Sequence, residues 1–152
     1  MKNAVLAAAV ALVLVATVHR LPAAENAKEQ LESIATVMDS IPDIIFYKDL
    51  DGVYRGGNSA WTTLLGKPAQ QLIGKTDFDI FPEEVAKSFQ SYDKEMLASG
   101  KARRNKEWLV YPDGRKVQVE TLKTPWVGKD GKVLGVLGIC HEITPPRTAQ
   151  VP

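Results

Sequence analysis

The stretch EWLVYPDGRKVQVE, residues 107–120, decides the reading of the fold. Its two flanks, Glu107 to Tyr111 and Lys116 to Glu120, are rich in aromatic and β-branched residues, and Asp113-Gly114 between them supplies a tight hairpin turn. The second flank alternates. Val117, Val119 and Thr121 fall on one side and Gln118 and Glu120 on the other, as in a strand with one face on a core and one toward solvent. The same punctuation occurs at Asp51-Gly52, between the run DIIFYKD (43–49) and Val53-Tyr54-Arg55, and at Asp130-Gly131, before VLGVLGI (133–139). Three such turns predict five antiparallel strands. The last run is apolar at both parities, Val133, Leu137 and Ile139 against Leu134, Val136 and Cys140. This predicts a central strand whose outer face meets a helix or a second subunit.

Between the second and third strands the pattern turns helical. Asn58 is placed to cap a helix carrying Ala60, Trp61, Leu64 and Leu65 and stopped by Gly66, and Ala69 to Ile73 make a short turn ended by Gly74. Thr76 and Asp79 suit a short capped helix through Phe81. Pro82-Glu83-Glu84 then reads as the start of a longer helix through Val85, Phe89, Tyr92 and Met96 to Gly100.

Two further segments precede the first strand. Residues 25–41 are amphipathic, with Ala27, Leu31, Ile34, Met38 and Ile41 at alternating steps of four and three, and Pro42 ends the pattern. This seam, centred on Leu31, Ile34 and Met38, either pairs with a second copy of the chain or covers the domain that follows. Ala4 to Val18 is an uncharged run of fifteen residues. At 1.5 Å per residue it spans about 22 Å, short of the roughly 30 Å hydrocarbon core, which fits a signal-peptide core or a thin-membrane anchor. The nearby Leu21-Pro22-Ala23-Ala24 is a poor cleavage site, which favours an uncleaved anchor over residues 1–24. Lys2 on one flank is matched by Arg20 and Lys28 on the other, so the side of the membrane stays open.

Composition closes off several functions. With 19 Lys+Arg against 18 Asp+Glu and a net charge of +1, there is no field to recruit nucleic acid, and the cluster Lys101, Arg103, Arg104, Lys106 reads as a solvated edge. A single cysteine, Cys140, and two distant histidines, His19 and His141, make no disulfide and no spaced metal-ligand set. Cys140-His141 is the nearest thing to a reactive pair, but neighbours on a strand point to opposite faces. Cys140 is then a core residue, with a redox-sensing thiol as the alternative. No catalytic constellation is present, and the expectation is of a protein that is not an enzyme.

The order of elements and the local signatures resemble the PAS family over about Met38 to Thr144. The signatures are Ile41-Pro42-Asp43, Tyr47-Lys48-Asp49 with Asp51-Gly52, Asn58 with Ala60, Ile73-Gly74-Lys75-Thr76-Asp77, Phe81-Pro82, Tyr111-Pro112-Asp113-Gly114 and Glu142-Ile143-Thr144. Residues 107–116 are especially similar to the PAS domain of anoxic redox-control sensor histidine kinases. The resemblance implies an α+β fold: a five-stranded antiparallel sheet with helices on one face, over residues 42–144, and a pocket between the sheet and the long helix. Side chains such as Phe46, Trp61, Phe78, Phe89, Trp108 and Leu122 would line that pocket, or simply fill the core. Relatives that form a covalent flavin adduct carry a cysteine in the short helix, and those with histidine-ligated haem carry a histidine on the long one. Residues 69–79 hold no cysteine and residues 82–99 no histidine, which disfavours both cofactors and leaves the cofactor open.

In sensor kinases an Asp-Ile-Thr motif couples the last strand to an exit helix. Here Glu142, Ile143 and Thr144 occupy that place, with Pro145-Pro146 against a continuing helix and a tail over 145–152. The expected protein is a membrane-tethered sensory module of the bacterial inner membrane, single-pass and a homodimer. It would bind a small ligand or a protein partner and signal in trans, with its domain on the cytoplasmic side on family grounds. A ligand-free dimerisation scaffold or a truncated sensor-kinase remnant is the alternative.

Overall fold

The computed structural model describes residues 24–143. The apolar segment 4–18, Thr144 and the tail 145–152 lie outside the described residues, and no described helix is long and apolar enough to cross a membrane. The chain divides after Val37 into two units. Helix α1 covers residues 24–39, two short of the expected end at Ile41. Pro42 bars Ile41 from helical dihedrals, and Ile41 N closes the last turn on Met38 O at 3.2 Å. Leu31 and Ile34 of the predicted seam are exposed, 68% and 58%, whereas Met38 is half-buried.

From Met38 onward the elements run β1 (Ile44–Asp49), β2 (Tyr54–Gly57), α2 (Ser59–Leu65), α3 (Ala69–Leu72), α4 (Asp77–Ile80), α5 (Glu83–Ser99), β3 (Arg103–Val110), β4 (Lys116–Val127) and β5 (Val133–Glu142). The five strands form one antiparallel sheet of order β2-β1-β5-β4-β3, which puts the apolar β5 at its centre. The expected caps are present. Asn58 caps α2, Gly66 ends it in the left-handed region at φ 63°, Thr76 and Asp79 form a capping box on α4, and Gly100 ends α5 at φ 63°. Strands β3 and β4 are longer than the hairpin alone predicts. Pro125 is tolerated because β3 starts opposite Lys123, so at Pro125 only β5 pairs with β4.

Strand parity sorts the side chains. Ile44, Phe46 and Lys48 of β1, Val117, Val119, Thr121 and Lys123 of β4, and Val136 and Cys140 of β5 are buried on the inner face, toward the helices. The outer face carries Tyr47 and Trp126, stacked edge to face at 5.1 Å, with Leu122, Leu137 and Ile139 half-buried. The core cluster joins Phe46, Tyr54, Trp61, Leu64, Leu72, Leu109, Val117 and Val119.

Asn58 ties the start of the domain to this core. Its amide oxygen accepts from Ile45 N at 3.0 Å and Trp61 N at 3.2 Å, and its Nδ2 donates to the carbonyls of Met38, Ile41 and Asp43 at 3.2, 3.2 and 2.8 Å. One buried side chain therefore satisfies a strand, a helix start and the incoming chain. Asn58→Ala is expected to lower the unfolding free energy in urea by roughly 3 kcal/mol, since it strips a cap and orphans a buried strand N–H. Asn58→Ser, which restores only the cap, should recover less than half of that loss.

Candidate ligand pocket and its buried ion network

Between the inner face of the sheet and the helices lies a pocket lined by Ile44, Phe46, Lys48, Tyr54, Trp61, Leu64, Leu65, Phe81, Phe89, Glu107, Leu109, Lys123 and Cys140. Leu65, Phe81, Phe89 and Glu107 are only half-buried, whereas the other lining residues are buried. Phe81 and Phe89 stack edge to face at 5.2 Å. The free volume is about 30 Å³, room for one or two water molecules. Gly138 helps to shape it. Phe46 of β1 and Lys123 of β4 flank Gly138 in register, and a Cβ there would collide with the Phe46 ring.

One side of the pocket is ionic. Lys48 Nζ, 1% exposed, lies 2.8 and 2.6 Å from the two carboxylate oxygens of Asp77 and 3.0 Å from Asp93 Oδ2. Lys123 Nζ lies 2.6 Å from Asp93 Oδ1 and 3.4 Å from the carbonyl of Phe89. Tyr54 Oη donates to Asp77 Oδ1 at 2.8 Å, and burial together with the Asp77 charge holds its phenol well above the usual tyrosine range, hence protonated. Lys48 Nζ also sits 4.8 Å from the Tyr54 ring centre, and Lys123 Nζ 5.3 Å from that of Phe89. Two ammonium groups facing two carboxylates have no net charge. Each ion offsets its desolvation only because its partners are in place.

A second polar group faces the pocket at Glu107. Thr121 Oγ1 donates to Glu107 Oε1 and lies 3.4 Å from Cys140 Sγ. The Thr121 hydroxyl has one proton, and a carboxylate can only accept, so the Cys140 thiol must be the donor to Thr121. Burial pushes that thiol up to about 11. Cys140 is thus a neutral core thiol, and His141 points to the other face, 2.8 Å from Asp43.

The six residues predicted for the pocket separate into two groups. Phe46, Trp61 and Phe89 line it. Phe78, Trp108 and Leu122 do not, and these three expectations are corrected. Trp108 is 55% exposed and pairs with outward-facing Gln118, because Glu107 and Leu109 take the inner parity of β3. Leu122 shares the outer parity of Gln118 and Glu120. Phe78 is exposed because its neighbour Asp77 takes the inward position on α4, and Phe81, one turn on, reaches the pocket instead. Sequence reasoning missed Lys48, Tyr54, Asp77, Phe81, Asp93, Glu107 and Lys123. Parity held the signal for two of them: Lys48 follows Ile44 and Phe46, and Lys123 follows Val119 and Thr121, at steps of two. At the proposed coupling end, Glu142 meets Arg115 at 3.4 Å and Ile143 N bonds Gln118 O at 2.8 Å.

An antiparallel sheet covered on one face by short helices and one long one, with a partly polar pocket between them, is the architecture of a sensory domain. The chain belongs to the PAS family: the profile described as PAS fold matches residues 38–148. Among curated proteins, the Aerobic respiration control sensor protein ArcB of Escherichia coli K12 is 31% identical over 117 residues, which is 77% of this chain and 15% of that protein. Among solved structures, VqmA bound to DPO is 30% identical, with 76% of this chain and 58% of that one covered and a TM-score of 0.68. The Vibrio cholerae VqmA dimer without target DNA is 30% identical over 75% of this chain and 51% of that one, again at a TM-score of 0.68. The chain therefore spans a small part of the sensor kinase it matches and about half of the regulator. It is a PAS sensory domain similar to those of sensor kinases and ligand-binding regulators.

Two outcomes follow from the pocket chemistry. Lys48→Met should destabilise the fold by about 3–5 kcal/mol, because it leaves Asp77 facing only Tyr54 in a buried site. Adding Asp77→Leu to it should restore part of the loss, and a double-mutant cycle by urea denaturation measures the coupling. The Cys140 thiol should react with iodoacetamide at pH 8 about a hundredfold more slowly in the folded chain than in 6 M guanidinium, where it is exposed and more acidic.

Proposed function

We propose that this chain is the receiving module of a sensor, a PAS domain that takes a small organic ligand between its sheet and α5 and passes the occupancy of that pocket to a signalling partner. The observation that carries the reading is the placement of two buried ammonium groups and a carboxylate on the wall of an otherwise mostly apolar pocket. Charges of that kind are expensive to bury, and an apolar cavity with a few convergent polar groups is the usual form of a ligand site. VqmA, 30% identical to this chain, binds DPO, which supports a ligand in a domain of this shape.

The rest of the reading concerns assembly and place. The exposed Leu31 and Ile34 of α1 would pair with a second copy, in keeping with the dimer described for VqmA. The apolar run 4–18 would tether the module to the bacterial inner membrane, with its domain on the cytoplasmic side. It would act as a receiver, with no nucleophilic role for Cys140, whose thiol is buried and held neutral. A free volume of only about 30 Å³ favours a second reading, a ligand-free dimerisation scaffold.

Native mass spectrometry of the full chain in detergent, with extraction and identification of retained compounds, separates the two. A dimer carrying one small molecule per chain is the expected result. A dimer whose pocket is empty after purification, and which retains no compound from cell extract, would instead establish the scaffold.

A further inference from the structure

The polar groups left over inside the pocket define the kind of compound it takes, which rests on the ligand-binding reading above. Lys48 engages all three of its N–H groups, on both oxygens of Asp77 and on Asp93. Lys123 engages two, on Asp93 and the Phe89 carbonyl, and its third N–H has no acceptor among the described residues. Glu107 is the converse case. One carboxylate oxygen accepts from Thr121, and the other has no donor among the described residues. Both groups line the same cavity, Lys123 buried in its wall and Glu107 half-buried.

Charge settles what these two groups admit. The Lys48 and Lys123 ammoniums are matched by Asp77 and Asp93, so the Glu107 carboxylate stands in excess. A ligand carboxylate or phosphate at Lys123 would add a second uncompensated negative charge in a space largely shielded from water, where repulsion is weakly screened. We infer that the pocket takes a small organic compound that is uncharged or singly positive. Such a compound presents an N–H or O–H donor to Glu107, an uncharged one offering an acceptor to Lys123 as well, and organic anions of the same shape are excluded. The rings of Phe46, Tyr54 and Trp61 supply apolar contact along the wall. A ring exceeds the free volume of about 30 Å³, so its entry would require the half-buried Phe81, Phe89 and Leu65 to give way.

Three probes of nearly one shape test this on the full chain by titration calorimetry: benzamide, benzylammonium and benzoate. Benzamide and benzylammonium should bind at least about tenfold more tightly than benzoate. Glu107→Gln, which keeps the shape and removes the charge, should narrow the ratio between benzylammonium and benzoate by about tenfold while leaving the melting temperature within a few degrees. Benzoate binding as well as the other two would overturn the charge selection and leave the pocket a ligand site. Binding that Glu107→Gln does not alter would place the probes elsewhere and overturn it too. No binding by any probe overturns the inference, and the ligand-binding reading falls with it only if the chain also retains no small molecule.

Discussion

The carboxylate of Asp93, held between the ammonium groups of Lys48 and Lys123, is the contact on which the rest of the domain depends. Lys48 belongs to β1 and Lys123 to β4, strands that are not neighbours: β5 runs between them. Asp93 on α5 reaches over β5 and fastens both. That span is open because the residue of β5 in register with Lys123 is Gly138, which has no side chain to stand in the way. The same gap seats the ring of Phe46. The long helix is thus placed over the sheet by a charged staple, and the aromatic pocket is the space enclosed beside it. Lys48 extends the network to Asp77 and so fixes the one-turn helix α4, whose Phe81 completes the wall.

Such a network is a weak source of stability and a strong source of specificity. Leu or Met at these positions would pack as well and avoid the desolvation of four ions. What apolar residues would not do is fix the helix at one register, because only one placement of α5 brings both oxygens of Asp93 to the two ammoniums. The network also sets a polar boundary to the pocket. The half of the domain built on Asn58 uses neutral hydrogen bonds for the corresponding task, joining β1, α2 and the incoming chain in a single buried amide.

Much of this architecture was legible in the sequence because it is written in local chemistry. Asp51-Gly52, Asp113-Gly114 and Asp130-Gly131 mark hairpins through the backbone they allow, and Asn58, Thr76 and Gly100 mark helix ends through the orphan groups they satisfy. The site is different in kind. Lys48 is 29 residues from Asp77 and 45 from Asp93, and Lys123 is 30 from Asp93, so no spacing pattern links them. A lysine on a strand reads as solvent-facing by default, and only strict application of parity would have turned Lys48 and Lys123 inward. The same parity turns Trp108 and Leu122 outward, against the pull of their bulk. Aromatic character alone does not mark the pocket, because the alternation of the strand decides which face a side chain occupies.

Buried charges both fix α5 and form the polar side of the pocket. Heteronuclear NMR of the lysine ammonium groups in the ¹⁵N-labelled full chain tests this most directly. Two slowly exchanging ammonium signals are expected, from Lys48 and Lys123, with that of Lys123 shifting when benzamide occupies the pocket and that of Lys48 staying in place. Ammonium protons that exchange as fast as those of surface lysines, or a Lys123 signal indifferent to the bound compound, would contradict it.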